Sequence, residues 1–140
     1  MKMAKIFIVL LGFASTAIAA DDKALISKVL FGKAEDAVIL IEQGANVYAK
    51  NSSGTPVLHL AAGRNTEDAY IIINALIKAG ADVYSTDSKG NMPIVAAIKT
   101  GHPNNVDAFI KNKALVSGQD AYGKTMIELA QRRNNDKILA

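Results

Sequence analysis

The chain has 140 residues, no cysteine, no tryptophan and a formal charge of +3, which limits it to one small domain or a short repeat array. A disulfide scaffold is excluded, and setting aside Lys2 and Lys5, which belong to a distinct opening segment, lowers the charge from +3 to +1. So slight a charge, with Arg132-Arg133 as the one arginine pair, does not support nucleic-acid binding.

Met1 to Lys5 carries two lysines, Ile6 to Phe13 is an almost unbroken apolar run, and Ala14 to Ala20 is built of small residues with one isoleucine. This is the three-part layout of a secretory signal. The run is shorter than the ~20 apolar residues that span a bilayer, and Asp21-Asp22 follows at once. Ala17 and Ala19 suit the shallow pockets of a signal peptidase for a cut before Ala20. The expectation is a cleavable leader over 1–19 and a mature domain over 20–140, free of the membrane and located in the periplasm or secreted. The short run and alanine-rich end have a bacterial look, and without a cysteine after the run there is no lipid attachment site. An exported domain without crosslinks depends on packing alone, which favours a regular architecture.

Compared with itself, the mature part shows a period. Gly44-Ala45-Asn46-Val47 recurs as Gly80-Ala81-Asp82-Val83, with a weaker trace at Lys113-Ala114-Leu115-Val116, at offsets of 36 and 33 residues. The turn glycines Gly54, Gly90 and Gly123 repeat with the same offsets. Each precedes an apolar segment: Thr55-Pro56-Val57-Leu58-His59-Leu60-Ala61-Ala62, Met92-Pro93-Ile94-Val95-Ala96-Ala97 and Thr125-Met126-Ile127-Glu128-Leu129-Ala130. Pro56 and Pro93 fit the first turn of a helix, where a missing N–H costs nothing. The alanines allow close helix approach. A second, longer helix is predicted in each unit from Val38 to Ile41, Ile71 to Ile77 and Val106 to Ile110, with apolar residues at three- and four-residue intervals. Gly44 and Gly80 fall where a left-handed residue ends a helix at least cost. Lys113 replaces the glycine in the third unit, so a less regular helix end is expected there.

On these residues the chain, from about 23 to 140, resembles the ankyrin repeat family, whose unit of about 33 residues carries a Thr-Pro-Leu-His-x-Ala signature. The resemblance implies an all-α solenoid of about four helix-turn-helix units with finger-like hairpin loops, over 22–50, 51–86, 87–119 and 120–140. Neighbouring fingers are expected to pair at their bases. The first unit lacks the Thr-Pro signature, as a terminal cap can. The second carries three extra residues near Asn65-Thr66-Glu67-Asp68, a loop individual to this protein. The fourth stops shortly into its second helix, so its core face is expected to be incompletely covered, with either fraying at that end or packing by a partner or a second copy.

No His-Glu-x-x-His, Gly-x-Ser-x-Gly, Ser-x-x-Lys or phosphate-binding loop occurs. Metal, cofactor and catalytic residues are therefore expected to be absent. The two histidines, His59 and His102, fall on family positions: by resemblance His59 holds the finger through backbone hydrogen bonds, and His102 belongs to the turn between helices. Glu35-Asp36 and Glu67-Asp68 sit near the starts of second helices, where carboxylates complement the dipole.

The resemblance then implies a monomer that presents an extended surface to another protein. Carried over position by position, the partner-binding candidates are Lys50, Ser52 and Ser53 on the first finger, Thr86, Ser88 and Lys89 on the second, and Gln119, Ala121 and Tyr122 on the third. Arg64, Lys99, Thr100, Arg132 and Arg133 join them from the ends of first helices. Tyr122 and the arginines carry most weight, because such side chains dominate interface hot spots. Tyr48 and Tyr84 occupy equivalent positions and suit either finger stacking or partner contact. The expected function is inhibition of a periplasmic enzyme such as a cell-wall hydrolase, for self-protection. The alternatives are an accessory factor of a periplasmic catalase or oxidative-stress system and a secreted effector binding a host protein.

Overall fold

The computed structural model describes residues 22–112 and residue 128. The leader over 1–19, the third finger and, apart from residue 128, the fourth unit over 120–140 lie outside the described residues, as does the helix end at Lys113. Within them are six helices: α1 (Asp22–Phe31), α2 (Ala34–Glu42), α3 (Val57–Ala62), α4 (Ala69–Lys78), α5 (Pro93–Thr100) and α6 (Pro103–Lys111). They pair as α1 with α2, α3 with α4 and α5 with α6. The first helices α1, α3 and α5 pack in one row, and α2, α4 and α6 in a second.

Local signals place the boundaries. Pro93 and Pro103 stand in the first turns of α5 and α6, where their rings preset φ. Pro56 corrects the expectation made for it: it is the residue before α3, with φ −62° and ψ 148°, and Val57 is the first helical residue. None of the residues preceding α2 to α6 makes a side-chain capping bond, so proline and packing determine where these helices start. At the other end, Gly44 and Gly80 have φ of 91° and 104°. There Ala45 N–H bonds Leu40 O and Gly44 N–H bonds Ile41 O, each at 3.0 Å, and Ala81 and Gly80 repeat this with Leu76 and Ile77. The paired bonds satisfy carbonyls that the helix end leaves open.

The second helix is the longer one in the second and third units, but in the first α1 has 10 residues against 9 in α2. The connections explain the offsets. Two residues join α1 to α2 and α5 to α6, whereas six, 63–68, join α3 to α4.

One apolar stripe per helix makes the core. Ala69, Ile72, Ile73 and Leu76 bury one side of α4, following the helical repeat. Val57, Leu58, Ala61 and Ala62 do so in α3, and Val106 and Phe109 in α6. All belong to one continuous cluster. The small residues Ala61, Ala62 and Ala97 are fully buried, which brings the first-helix backbones close together.

The loops over 44–56 and 80–92 form the fingers. Each closes on itself: Val57 N–H bonds Ala49 O at 2.8 Å, Asn51 N–H bonds Thr55 O at 3.0 Å, and Asp87 N–H bonds Asn91 O at 2.9 Å. The bridge Lys50–Pro56 lies within the first finger. Pairing between neighbouring fingers, expected from the resemblance, is not found among the described residues. Their link is a side chain instead: the Tyr48 hydroxyl donates to Gly80 O at 2.9 Å.

Because Ile72 is fully buried on α4, between the rows of α2 and α6, Ile72→Ala is expected to cost about 2–5 kcal/mol. Ile39→Ala, at a half-exposed position of α2, is expected to change stability by about 0.5 kcal/mol or less. Urea unfolding followed by circular dichroism compares the two.

Candidate functional site

Fingers and first helices share one side of the array, where the second finger meets α5. The finger tips owe their form to an acceptor three residues before each turn glycine. Asn51 Oδ1 accepts Ser53 N–H at 3.0 Å and Thr55 N–H at 2.9 Å, while Asn51 O accepts Gly54 N–H. Thirty-six residues on, Asp87 Oδ1 accepts Lys89 N–H and Asn91 N–H, both at 2.9 Å, and its carbonyl accepts Gly90 N–H. Gly54 and Gly90 have φ of 77° and 84°, a region open to glycine at little cost. Near the finger bases, Asn46 and Asp82 accept the N–H groups of Tyr48 and Tyr84 in the same way. Such side-chain turns hold the backbone in one shape without a ladder.

These locks place most of the described candidates together. Lys50, Ser52 and Ser53 lie exposed on the first finger, Thr86, Ser88 and Lys89 on the second, and Lys99 on the open side of α5. Between the second finger and α5 is a hollow of about 320 Å³, to which Thr55, Ser88, Lys89, Met92 and Lys99 contribute. A second, of about 470 Å³, continues along α5 past Gly63, Asn65 and Thr100. Ala96 and Lys99 line both.

Two candidates take part in the fold itself. The Arg64 side chain is only 11% exposed. Its guanidinium donates to Thr66 Oγ1 at 2.9 Å and Val29 O at 3.0 Å, and sits 3.6 Å from Asp68 Oδ1. It thereby clips the α3–α4 loop onto the carbonyls near the end of α1, where a cation complements the dipole. Thr100 is half-buried, donates its hydroxyl to Ala97 O at 2.7 Å and accepts His102 N–H. Gln119, Ala121, Tyr122, Arg132 and Arg133 lie outside the described residues.

The extra loop is anchored on its other side too. His102 Nε2 bonds Asn65 Oδ1 at 2.8 Å and Asn105 Nδ2 donates to Thr66 O at 3.2 Å. Residues 64–68 therefore tie the second unit to the first and the third. His59 joins units as well, since its Nε2 bonds Asn91 O at 2.8 Å. The acceptor is a carbonyl, so Nε2 carries the proton. Its Nδ1 is buried with no hydrogen-bond partner. Burial pushes the imidazole below its ordinary value of 6.5, against opposing effects from the Asn91 backbone bond and the Asp87 carboxylate. Neutral His59 is a structural tie between units rather than a general base. Among the described residues no three His, Cys, Asp or Glu side chains gather as a metal site, and no helix is long and apolar enough to cross a membrane.

Sequence reasoning missed Asn51 and Asp87 as the locks of the fingers, although Asn51-Ser-Ser-Gly54 and Asp87-Ser-Lys-Gly90 share a visible Asx-x-x-Gly spacing. It also missed Gly63, Asn65 and Met92 beside the hollows, because loop and helix residues 30 positions apart in the chain meet only on folding.

In comparisons with known proteins, the family model for ankyrin repeats (3 copies) matches residues 25–114 and 58–140. A stretch of 74 residues, 53% of this chain, is 38% identical to "Ankyrin repeat domain-containing protein 63" of Mus musculus and covers 18% of that protein.

Two outcomes follow from the ties between units. Arg64→Ala is expected to lower stability by about 1–3 kcal/mol, because it strips the Val29 carbonyl and Asp68 of a charged donor. His59 has a depressed folded-state pKa, so its contribution is complete above 6.5 and is lost as pH falls from 6.5 through the lowered folded value. Unfolding free energy measured by urea titration between pH 7.5 and 5 should decline on the acid side, and His59→Gln should flatten that decline. An unchanged slope in the variant would assign the decline to other groups.

Proposed function

The chain belongs to the ankyrin repeat family, whose repeats are protein–protein interaction modules, and from that premise we propose that it is an exported, non-catalytic binder that inhibits a periplasmic enzyme such as a cell-wall hydrolase. The observation that carries this reading is the meeting of two locked finger tips and the open side of α5 on one side of the array. A surface whose loops are already held loses little conformational entropy on association. That favours occlusion of a folded partner over wrapping of a disordered one.

Three further features support the assignment to the periplasm and to inhibition. The first 19 residues have the layout of a secretory signal, and the composition, free of cysteine, tolerates an oxidising compartment without mispairing. The two histidines take part in ties between units, with no cluster of metal ligands around them among the described residues. Inhibition then requires only coverage of the enzyme's cleft, for which the fingers and first helices are the contact surface.

Expression of the full chain with a C-terminal tag in its producing cell tests this. Recovery from the periplasm without residues 1–19, in a one-to-one complex with an enzyme whose turnover falls as the protein is titrated in, is expected. Retention in the cytoplasm with the leader intact, or the absence of a stoichiometric partner, would overturn the reading.

A further inference from the structure

The two hollows beside α5 share Lys99 and Ala96 and so make one channel, from the tip of the second finger to the α3–α4 loop. It follows the eight residues of α5, about 12 Å at helical rise, which is the span of roughly four residues of extended chain. Met92 and Ala96 form an apolar floor. Lys89 and Lys99 stand exposed on its sides and have no ion pair among the described residues. The ion pairs found there use other cations: Lys28 with Asp36, Arg64 with Asp68 and Lys111 with Asp107. Among the described residues one carboxylate lines the channel, that of Asp87, which is half-buried and whose Oδ1 accepts two backbone N–H groups. Among the described residues, Lys89 and Lys99 thus remain open to an incoming group.

A second observation concerns Gly63. Its φ is −82°, which any residue adopts, so backbone conformation does not require glycine here. A Cβ at this position would lie 3.8 Å from Ala96 Cβ and 3.4 Å from His59 O. Larger side chains are compatible with the backbone but would extend into the channel, and glycine leaves that end open.

We propose that the channel between the second finger and α5 seats an extended, carboxylate-rich segment of the partner protein, with Lys89 and Lys99 each holding a carboxylate above the apolar floor. The Thr55 and Ser88 hydroxyls supply further donors. The channel's length suits a peptide rather than a single anion, and two separated ammonium groups suit side chains spaced along a strand. This specificity rests on the reading of the protein as a binding module.

The test uses the full chain and two fluorescein-labelled decapeptides, one alternating Glu with Ala and one alternating Lys with Ala, followed by anisotropy across a range of sodium chloride. The Glu peptide is expected to bind, to weaken as salt rises, and to lose about tenfold or more in affinity in the K89E/K99E double variant. Lys78→Glu, an equal change of charge per site at an exposed position of α4, should leave binding within about twofold if the attraction is local. Gly63→Gln should weaken binding with circular dichroism unchanged. Equal binding of both peptides, no binding of the Glu peptide, or indifference to K89E/K99E would overturn the proposal. An inhibited periplasmic partner whose affinity survives K89E/K99E and high salt would also overturn it while leaving the proposed function standing. Lack of any partner would count against the function itself.

Discussion

Among the described residues, no helix pair encloses its own apolar stripe. Two helices of six to ten residues bury one line of side chains between them and leave a second line facing outward, and that line is covered only when another pair stacks against it. Ile72, Ile73 and Leu76 of α4 are fully buried because α2 and α6 flank it. Stability is therefore cooperative between neighbours, and the features that fix how units sit on one another govern the geometry of everything exposed.

Three kinds of contact fix that seating. Alanines at the facing positions of the first helices bring backbones close, His59 ties α3 to the base of the second finger, and Tyr48 ties the first finger to Gly80. The loop over 64–68 adds a fourth contact particular to this chain. Three added residues became a clip, with Arg64 holding the preceding unit and Asn65 and Thr66 bonded to the following one. Its guanidinium serves the solenoid, which explains why a residue at an interface position of the family is only slightly exposed.

The fingers show the same economy of means on a smaller scale. Each consists of backbone turned by an Asx side chain at its base and another before its tip, with glycine where φ is positive. With their shape held internally, the fingers stand free of strand pairing between neighbours among the described residues. The exposed lysines and hydroxyls they carry consequently leave the backbone at fixed points, and the hollow beside α5 inherits that definition.

Periodicity, glycine spacing and proline placement in the sequence determined the fold class, the register of the units and the existence of the fingers, because those are local signals repeated at a constant interval. They also made Lys89 and Lys99 candidates. What lay beyond them was anything created by packing two units together: that Arg64 bonds Val29 O, that His102 meets Asn65, and that Gly63 faces Ala96 beside a hollow. Such contacts join residues about 30 to 40 positions apart, and only the relative placement of whole helices decides which of them come within hydrogen-bond reach. Tertiary structure alone therefore separated Arg64, engaged in the fold, from Lys89 and Lys99, which have no ion pair among the described residues.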